Sequence, residues 1–364
     1  MTAIADIETP AILIDLDVME RNLQRVADYS RNHGLRLRPH TKTHKIPALG
    51  RRQVDGGAVG LTVAKVSEAE VMLKSGTPDL LIAYPVIGRS KLARLMEVAG
   101  HTQVTVSLDS LEAAKQLSEA AQAAGREIGV LAEMDAGMGR VGVDPGSELV
   151  ALARAIAALP GLRLEGIAFY PGHIKMLDEE GHRAVGQLGE LIGAVLRELK
   201  AAGLAVSIVS GGSTPSLFES HTIPGLNEIR PGTYIFNDRN TMLMGVCSLE
   251  DCAASIMITV VSTARPGQII IDGGSKTFSS DRPSSGEVSF GHVVEAPEAV
   301  FTKMNEEHGY VDVRTAGREF KVGDRVRVIP NHICVAMNLH ECVYGIRGDK
   351  VAEVWRVEGR GKLQ

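Results

Sequence analysis

The chain has 364 residues, of which 44% are hydrophobic and 23% charged, ordinary globular proportions that exclude disordered and fibrous classes. No run approaches the roughly 18 apolar residues that a membrane span needs, and a net charge of -5 with 4% aromatic residues argues against a membrane or nucleic-acid partner. The first residues show no basic stretch followed by a long apolar one, and Cys247, Cys252, Cys334 and Cys342 are too few for a disulfide framework, so we expect reduced thiols and a cytoplasmic location.

In chain order, TPAILIDL (9–16) comes first and is too apolar for a free terminus. Eight short β-rich runs follow, at 35–40, 58–63, 80–85, 103–109, 128–135, 164–170, 206–212 and 227–232. Between them lie stretches rich in Ala, Leu and Glu, such as 110–125 and 178–203, which read as helices. Strands alternating with helices imply parallel pairing through right-handed crossovers. Eight such units match a (β/α)8 barrel. A doubly wound open sheet is the alternative, but no Gly-rich dinucleotide turn follows the first run. After about residue 245 the texture becomes strands joined by Gly, Pro and Asp turns. We therefore expect an α/β chain: a TIM-like (β/α)8 barrel over 17–243, and a C-terminal all-β domain over 244–364 that also takes 1–16.

Reactive groups in such a barrel come from the C-terminal strand ends. The first strand ends in RPHTKTHK (38–45), where Lys42 would point into the barrel mouth. A lysine desolvated there has a lowered pKa and forms a Schiff base with a carbonyl cofactor. Lys45 reads equally well as a surface charge. After strand 5, MDAGMGRVG (134–142) places Arg140 in a Gly-rich turn. After strand 6, YPGH (170–173) offers Tyr170 and His173, a candidate general base. After strand 7, Ser210, Gly211, Gly212, Ser213 and Thr214 make a nest of N–H groups suited to an anion, or else a plain helix cap. Gly232, Thr233 and Tyr234 follow strand 8. A phosphate anchor facing a lysine fits pyridoxal 5'-phosphate.

In PNHICVAMNLHE (330–341), His332 and Cys334 are two apart, so a strand would turn both to one face. Imidazole plus thiolate is half of a divalent-metal site; a buried Cys beside a hydrogen-bonded His is the plain alternative. With no CxxC partner, any metal would keep open positions, which suits catalysis.

Together, TPAILIDLDVMERN, RPHTKTHK, KVSEAE, MDAGMGRVG, YPGH, SGGST, RPGTY and PNHICVAMNLHE resemble the D-threonine aldolase and D-serine dehydratase family, pyridoxal-phosphate enzymes with an alanine racemase-like barrel. The resemblance implies that Lys42 carries the cofactor and that Arg140 sits near its phenolic oxygen. It also implies Tyr170 near the ring, His173 near the substrate hydroxyl, the 210–214 and 232–234 segments on or near the phosphate, and His332 with Cys334 on the metal. The thiolate favours zinc over manganese or magnesium. It further implies a homodimer in which each β domain completes the other chain's site.

No C-terminal tyrosine motif of the racemase kind is present, which disfavours racemisation. The function expected is a D-threonine aldolase acting on D-3-hydroxy amino acids. The alternative is a D-serine or D-3-hydroxyaspartate dehydratase on the same parts. A non-catalytic pyridoxal-phosphate-binding protein is disfavoured by the added β domain, and a pyridoxal-free metal hydrolase by the lack of clustered His/Asp ligands at the strand ends.

Overall fold

The structure, a computed structural model, describes residues 3–283 and 286–364. It divides into two compact units. One comprises Arg25–Lys42, Pro47–Gly232 and Gly361–Gln364; the other comprises Met1–Gln24, Thr43–Ile46 and Thr233–Arg360. These ranges depart from the expected 17–243 division. Residues 17–24, Thr43–Ile46 and 233–243 belong to the β unit.

Strand β1 (Ala11–Asp15) and helix α1 (Leu16–Asn32) open the chain. The barrel strands are β2 (Arg36–Leu37), β3 (Leu61–Val63), β4 (Asp79–Ile82), β5 (Gln103–Leu108), β6 (Ile128–Glu133), β7 (Leu162–Ala168), β8 (Ile208–Gly211) and β9 (Glu228–Ile229). They lie parallel in the order β2-β9-β8-β7-β6-β5-β4-β3. A bridge between His40 and Thr62 joins the two ends of this order. All eight expected strands are present, so the α/β barrel reading holds.

Helices α2 (Pro47–Asp55), α3 (Val66–Met72), α4 (Arg89–Val98), α5 (Leu111–Ala123), α6 (Ser147–Ala158) and α7 (Glu179–Ala201) occupy the crossovers. Helix α5 shows why: Ser110 caps it by accepting from Ala113 N, and Ala113, Ala114, Leu117, Ser118 and Ala121 form one buried stripe. Strand β6 is buried at all six positions, as a strand covered on both faces must be. Leu81, Leu131, Ala168 and Ile208 form a core cluster among the strands.

The barrel also buries charge. Arg38 donates from Nε to Glu228 Oε2 at 2.9 Å and from Nη2 to Asp79 Oδ2 at 3.0 Å. Ser210 Oγ donates to Glu228 Oε1 at 2.7 Å, so the carboxylate is served at both oxygens.

In the β unit, β10 (Ala254–Arg265), β11 (Gln268–Ile271), β12 (Gly291–Val293), β13 (Val300–Met304), β14 (Gly309–Asp312) and β15 (Arg325–Pro330) form a ring, since β11 pairs both β14 and β10. Short helices α8 (Arg239–Leu243) and α9 (Ser275–Phe278) precede and interrupt it. After helix α10 (Ile333–Leu339), strands β16 (Cys342–Arg347) and β17 (Lys350–Arg356) complete the sheet. Strand β1 lies antiparallel to β10 and parallel to β16, which is why TPAILIDL is apolar. Its Ala11 and Leu13 pack with Ile7, Met257, Ile346 and Val351.

Candidate active site

In the barrel unit, Lys42, Arg140, Tyr170, His173 and Gly232 follow the C-terminal ends of strands, and Ser210–Thr214 form the end of β8 and the turn after it, the end where barrel chemistry is built. Lys42 lies on a 3-10 turn, Thr41–Thr43, and its backbone N–H donates to His40 Nδ1 at 3.3 Å. Its side chain is exposed, which corrects the expectation of a desolvated lysine. β2 ends at Leu37, and the turn that carries Lys42 begins four residues later at Thr41.

Asp135 builds the loop that carries Arg140. Its Oδ1 accepts from the N–H groups of Gly137, Met138 and Gly139. Arg140 is exposed and stacks its guanidinium 4.7 Å from the centre of the Tyr170 ring, a cation–π contact. His173 is exposed and its ring lies over Gly137, where an added Cβ would come within 3.1 Å of Cε1. The structure thus brings Arg140 onto Tyr170 and lays His173 against Gly137 of the loop that carries Arg140.

The 210–214 segment departs from a plain helix cap. Only a 3-10 helix follows it, at Leu217–Thr222. Gly211 lies against the Phe169 ring, where a Cβ would approach to 2.3 Å, and Gly212 takes φ +89°. Among the described residues the N–H groups of Gly212, Ser213 and Thr214 donate to no backbone carbonyl, although Ser213 and Thr214 are buried. Buried donors left this way cost about 1–3 kcal/mol each unless an acceptor arrives. A phosphate is such an acceptor, and an accessible primary amine at the same strand ends fits a carbonyl. The residues present therefore fit pyridoxal phosphate.

Arg230 was missed in the sequence, though it stands inside NEIRPG at the end of an apolar run. It follows β9 and donates from Nη1 to Ser210 Oγ at 2.5 Å and from Nη2 to Phe169 O at 3.0 Å. Burial lowers its pKa below the usual arginine value. A cation held among the catalytic-end loops is a functional candidate on that ground.

The remaining candidates belong to the β unit. His332 and Cys334 are not on a strand. His332 is the cap residue of α10, and Cys334 lies in its first turn. They still come together: the Cys334 thiolate, ahead of Asp238, pushes the His332 pKa up to about 11 against the opposing effect of burial. His332 Nδ1 lies 3.1 Å from Asp238 Oδ2. Cys334 Sγ sits 3.2 Å from the hydroxyl of Thr43, the residue after Lys42 in the chain. Thr233, expected near the phosphate, instead places its hydroxyl 3.7 Å from Cys334 Sγ. Tyr234 is buried on the 3-10 turn Thr233–Ile235.

Among the described residues no three His, Cys, Asp or Glu side chains group as a metal site. Imidazole with thiolate still suits a borderline-soft divalent ion that keeps open positions. Lys45 corrects the surface-charge reading. It is buried and donates from Nζ to Asn338 Oδ1 on α10 at 2.9 Å.

Known families match both parts of the chain: "Alanine racemase, N-terminal domain" over residues 14–240 and "Putative serine dehydratase domain" over 253–346. The chain belongs to the D-threonine aldolase and D-serine dehydratase family of fold-type III pyridoxal-phosphate enzymes. It is 34% identical to a 3-hydroxy-D-aspartate aldolase of Paracoccus denitrificans (strain Pd 1222), over 98% of this chain and 93% of that one. It is 32% identical to a D-threo-3-hydroxyaspartate dehydratase of Delftia sp. (strain HT23), over 96% and 97%. The solved D-threonine aldolase from Filomicrobium marinum superposes with a TM-score of 0.93 at 33% identity, covering 99% of this chain and 98% of that one. A D-threo-3-hydroxyaspartate dehydratase variant has been solved in a metal-free form, and this chain resembles it with a TM-score of 0.88 at 30% identity, covering 98% of this chain and 99% of that one. The relatives are lyases, aldolases and dehydratases alike, and this family member is a pyridoxal-phosphate-dependent lyase. No described helix is long and apolar enough to cross a membrane.

Proposed function

We propose that this family member is a D-threonine aldolase, cleaving D-3-hydroxy amino acids to glycine and an aldehyde, with a divalent metal that the Cys334 thiolate biases toward zinc. The observation that carries the reading is the mouth end of the barrel, where Arg140 stacks on Tyr170 and the exposed His173 ring lies over Gly137 of the same loop. When bound, the cofactor supplies an electron sink beside the substrate Cα and the metal a Lewis acid for the 3-hydroxyl.

The chain's own residues do the rest. Lys42 holds the cofactor's carbonyl carbon. The Gly212–Thr214 N–H groups and the Ser213 hydroxyl would donate to the phosphate, and the backbone around Gly232 would flank it. Arg140 offers a guanidinium to the phenolic oxygen while its stacking on Tyr170 fixes that ring. His173 takes the hydroxyl proton, because its exposed ring is unencumbered at the required atom. His332 and Cys334 hold the metal.

The second reading, a D-serine or D-3-hydroxyaspartate dehydratase, is favoured by Cys334 and by the dehydratase relative. There Lys42 moves the Cα proton and His173 has no proton to take. D-threonine separates the two. An aldolase yields glycine and acetaldehyde in equal amounts; a dehydratase yields 2-oxobutyrate and ammonia, and that outcome would overturn the first reading.

We further propose a cytoplasmic homodimer, in keeping with four cysteines that form no disulfide among the described residues and with the family. Sedimentation of a fully active monomer would refute the dimer.

A further inference from the structure

Asp238 takes no part in the function proposed above, yet its side chain is 0% exposed and cannot look to water for partners. Both oxygens are used. Oδ1 accepts from Thr241 N at 2.9 Å and from Thr241 Oγ1 at 3.2 Å, which caps α8. Oδ2 accepts from Ile333 N at 3.1 Å and faces His332 Nδ1 at 3.1 Å. One carboxylate thus ties the start of α8 to the start of α10, where His332 stands. Thr241 Oγ1 in turn accepts from Asp238 N at 2.8 Å, so the carboxylate cannot rotate without breaking the cap.

We propose that Asp238 is a positioning residue for the candidate metal pair; the inference rests on the reading of His332 and Cys334 as metal ligands. The Asp238 carboxylate can only accept at Nδ1, so it keeps a proton on that nitrogen and leaves Nε2 as the ring's electron-pair donor. A histidine held this way is a better and better-aimed ligand, and loss of such a partner typically costs 10–100-fold in metal affinity. The Thr43 and Thr233 hydroxyls beside Cys334 Sγ hold the second ligand in the same manner.

Cobalt(II) is the probe, added to purified, chelator-stripped protein. Binding is followed by calorimetry and by the near-ultraviolet charge-transfer band of a cobalt–thiolate bond. Asp238→Asn keeps a capping oxygen but brings an N–H against Nδ1, which moves the ring proton to Nε2. It should bind cobalt about 10–100-fold more weakly, and because Ile333 N loses its acceptor at the same atom its melting temperature should fall as well. Thr241→Ala removes the hydroxyl half of the capping box and leaves the Thr241 N–H bond and Oδ2 in place; it should lower the melting temperature and leave cobalt affinity unchanged. In zinc-loaded wild type, nitrogen NMR should find the His332 proton on Nδ1, a measurement that needs no variant at Asp238. Wild-type affinity in Asp238→Asn, an equal loss in Thr241→Ala, or metal on Nδ1 would each overturn the positioning role alone. A wild type without the charge-transfer band would overturn the metal reading and this inference with it.

Discussion

Arg38 and Glu228 stand 190 positions apart in the chain, yet they form an ion pair at 2.9 Å with side chains only 2% and 1% exposed. Their strands are neighbours, β2 pairing with β9, so the contact belongs to the register where the first barrel strand meets the last. A pair desolvated to this degree contributes little net attraction, but leaving one charge alone costs about 3–5 kcal/mol. Asp79 still pairs Arg38 in Glu228→Gln, and Ser210 and the Arg230 charge still serve Glu228 in Arg38→Met, so each should lower the unfolding free energy by a smaller amount, about 1–3 kcal/mol in urea titrations, and the double variant should lose less than the sum. Losses below about 1 kcal/mol, the worth of an exposed pair, would contradict this account.

The same carboxylate sets an acid limit. Burial pushes the Glu228 pKa up, but the Arg38 charge, the Ser210 hydrogen bond and the Arg230 charge pull it further down, so the folded value lies below the ordinary one. A group depressed on folding contributes stability that is present above its unfolded value and is lost as pH falls through the folded one. Stability should therefore drop as pH is lowered from about 5 through the ordinary glutamate value of about 4.3 and below. The drop should be shallower in Glu228→Gln. Parallel pH profiles for the two proteins would show that the pair is not responsible.

Lys42 is the amine we assign to the cofactor, and its rivals are engaged elsewhere. Lys45 Nζ is buried against Asn338, and Lys276 Nζ pairs with Glu307 at 2.7 Å. Borohydride reduction followed by peptide mapping should find the pyridoxyl label on Lys42. Lys42→Ala should lose the visible absorption of the bound cofactor and all turnover. A label on Lys45 or Lys276 would end the assignment.

Metal removal should separate activity from folding. A structural zinc takes four protein ligands, whereas His332 and Cys334 are two. Chelation should abolish turnover and leave the thermal melt nearly unchanged, and Cys334→Ala should reproduce both results. A chelator that melts the protein would mean that the ion is structural.

Strand positions were legible because each barrel strand is a short apolar run between helical stretches, and β6, buried throughout, reads that way without help. The strand-end residues from Lys42 to Gly232 were legible for the same reason: parallel strands deliver their loops to one end. His332 and Cys334 were found through their chemistry, while their conformation was misread. Seven residues, ICVAMNL, carry an apolar pattern that a strand or a helix accommodates, and only the cap at His332 decides for the helix. Lys45, Glu228, Arg230 and Asp238 escaped because a buried charge is made tolerable by partners distant in sequence. Asp238 meets Ile333 from 95 positions away, and nothing local to FND announces it.

The choice between carbon–carbon and carbon–oxygen cleavage turns on His173. An aldolase must remove the proton of the substrate 3-hydroxyl, and the base we propose for it is His173, whose ring lies over Gly137. A dehydratase expels that oxygen and needs a base at Cα, which Lys42 supplies. His173→Ala should therefore reduce D-threonine cleavage about 100-fold or more, the usual worth of a positioned base, and should leave cofactor absorption intact. The sequence KTHK keeps Lys42 untouched in this variant, so any residual formation of 2-oxobutyrate would be unaffected. L-threonine should remain uncleaved by both proteins. A His173→Ala enzyme that releases glycine and acetaldehyde at the wild-type rate would remove His173 from the mechanism.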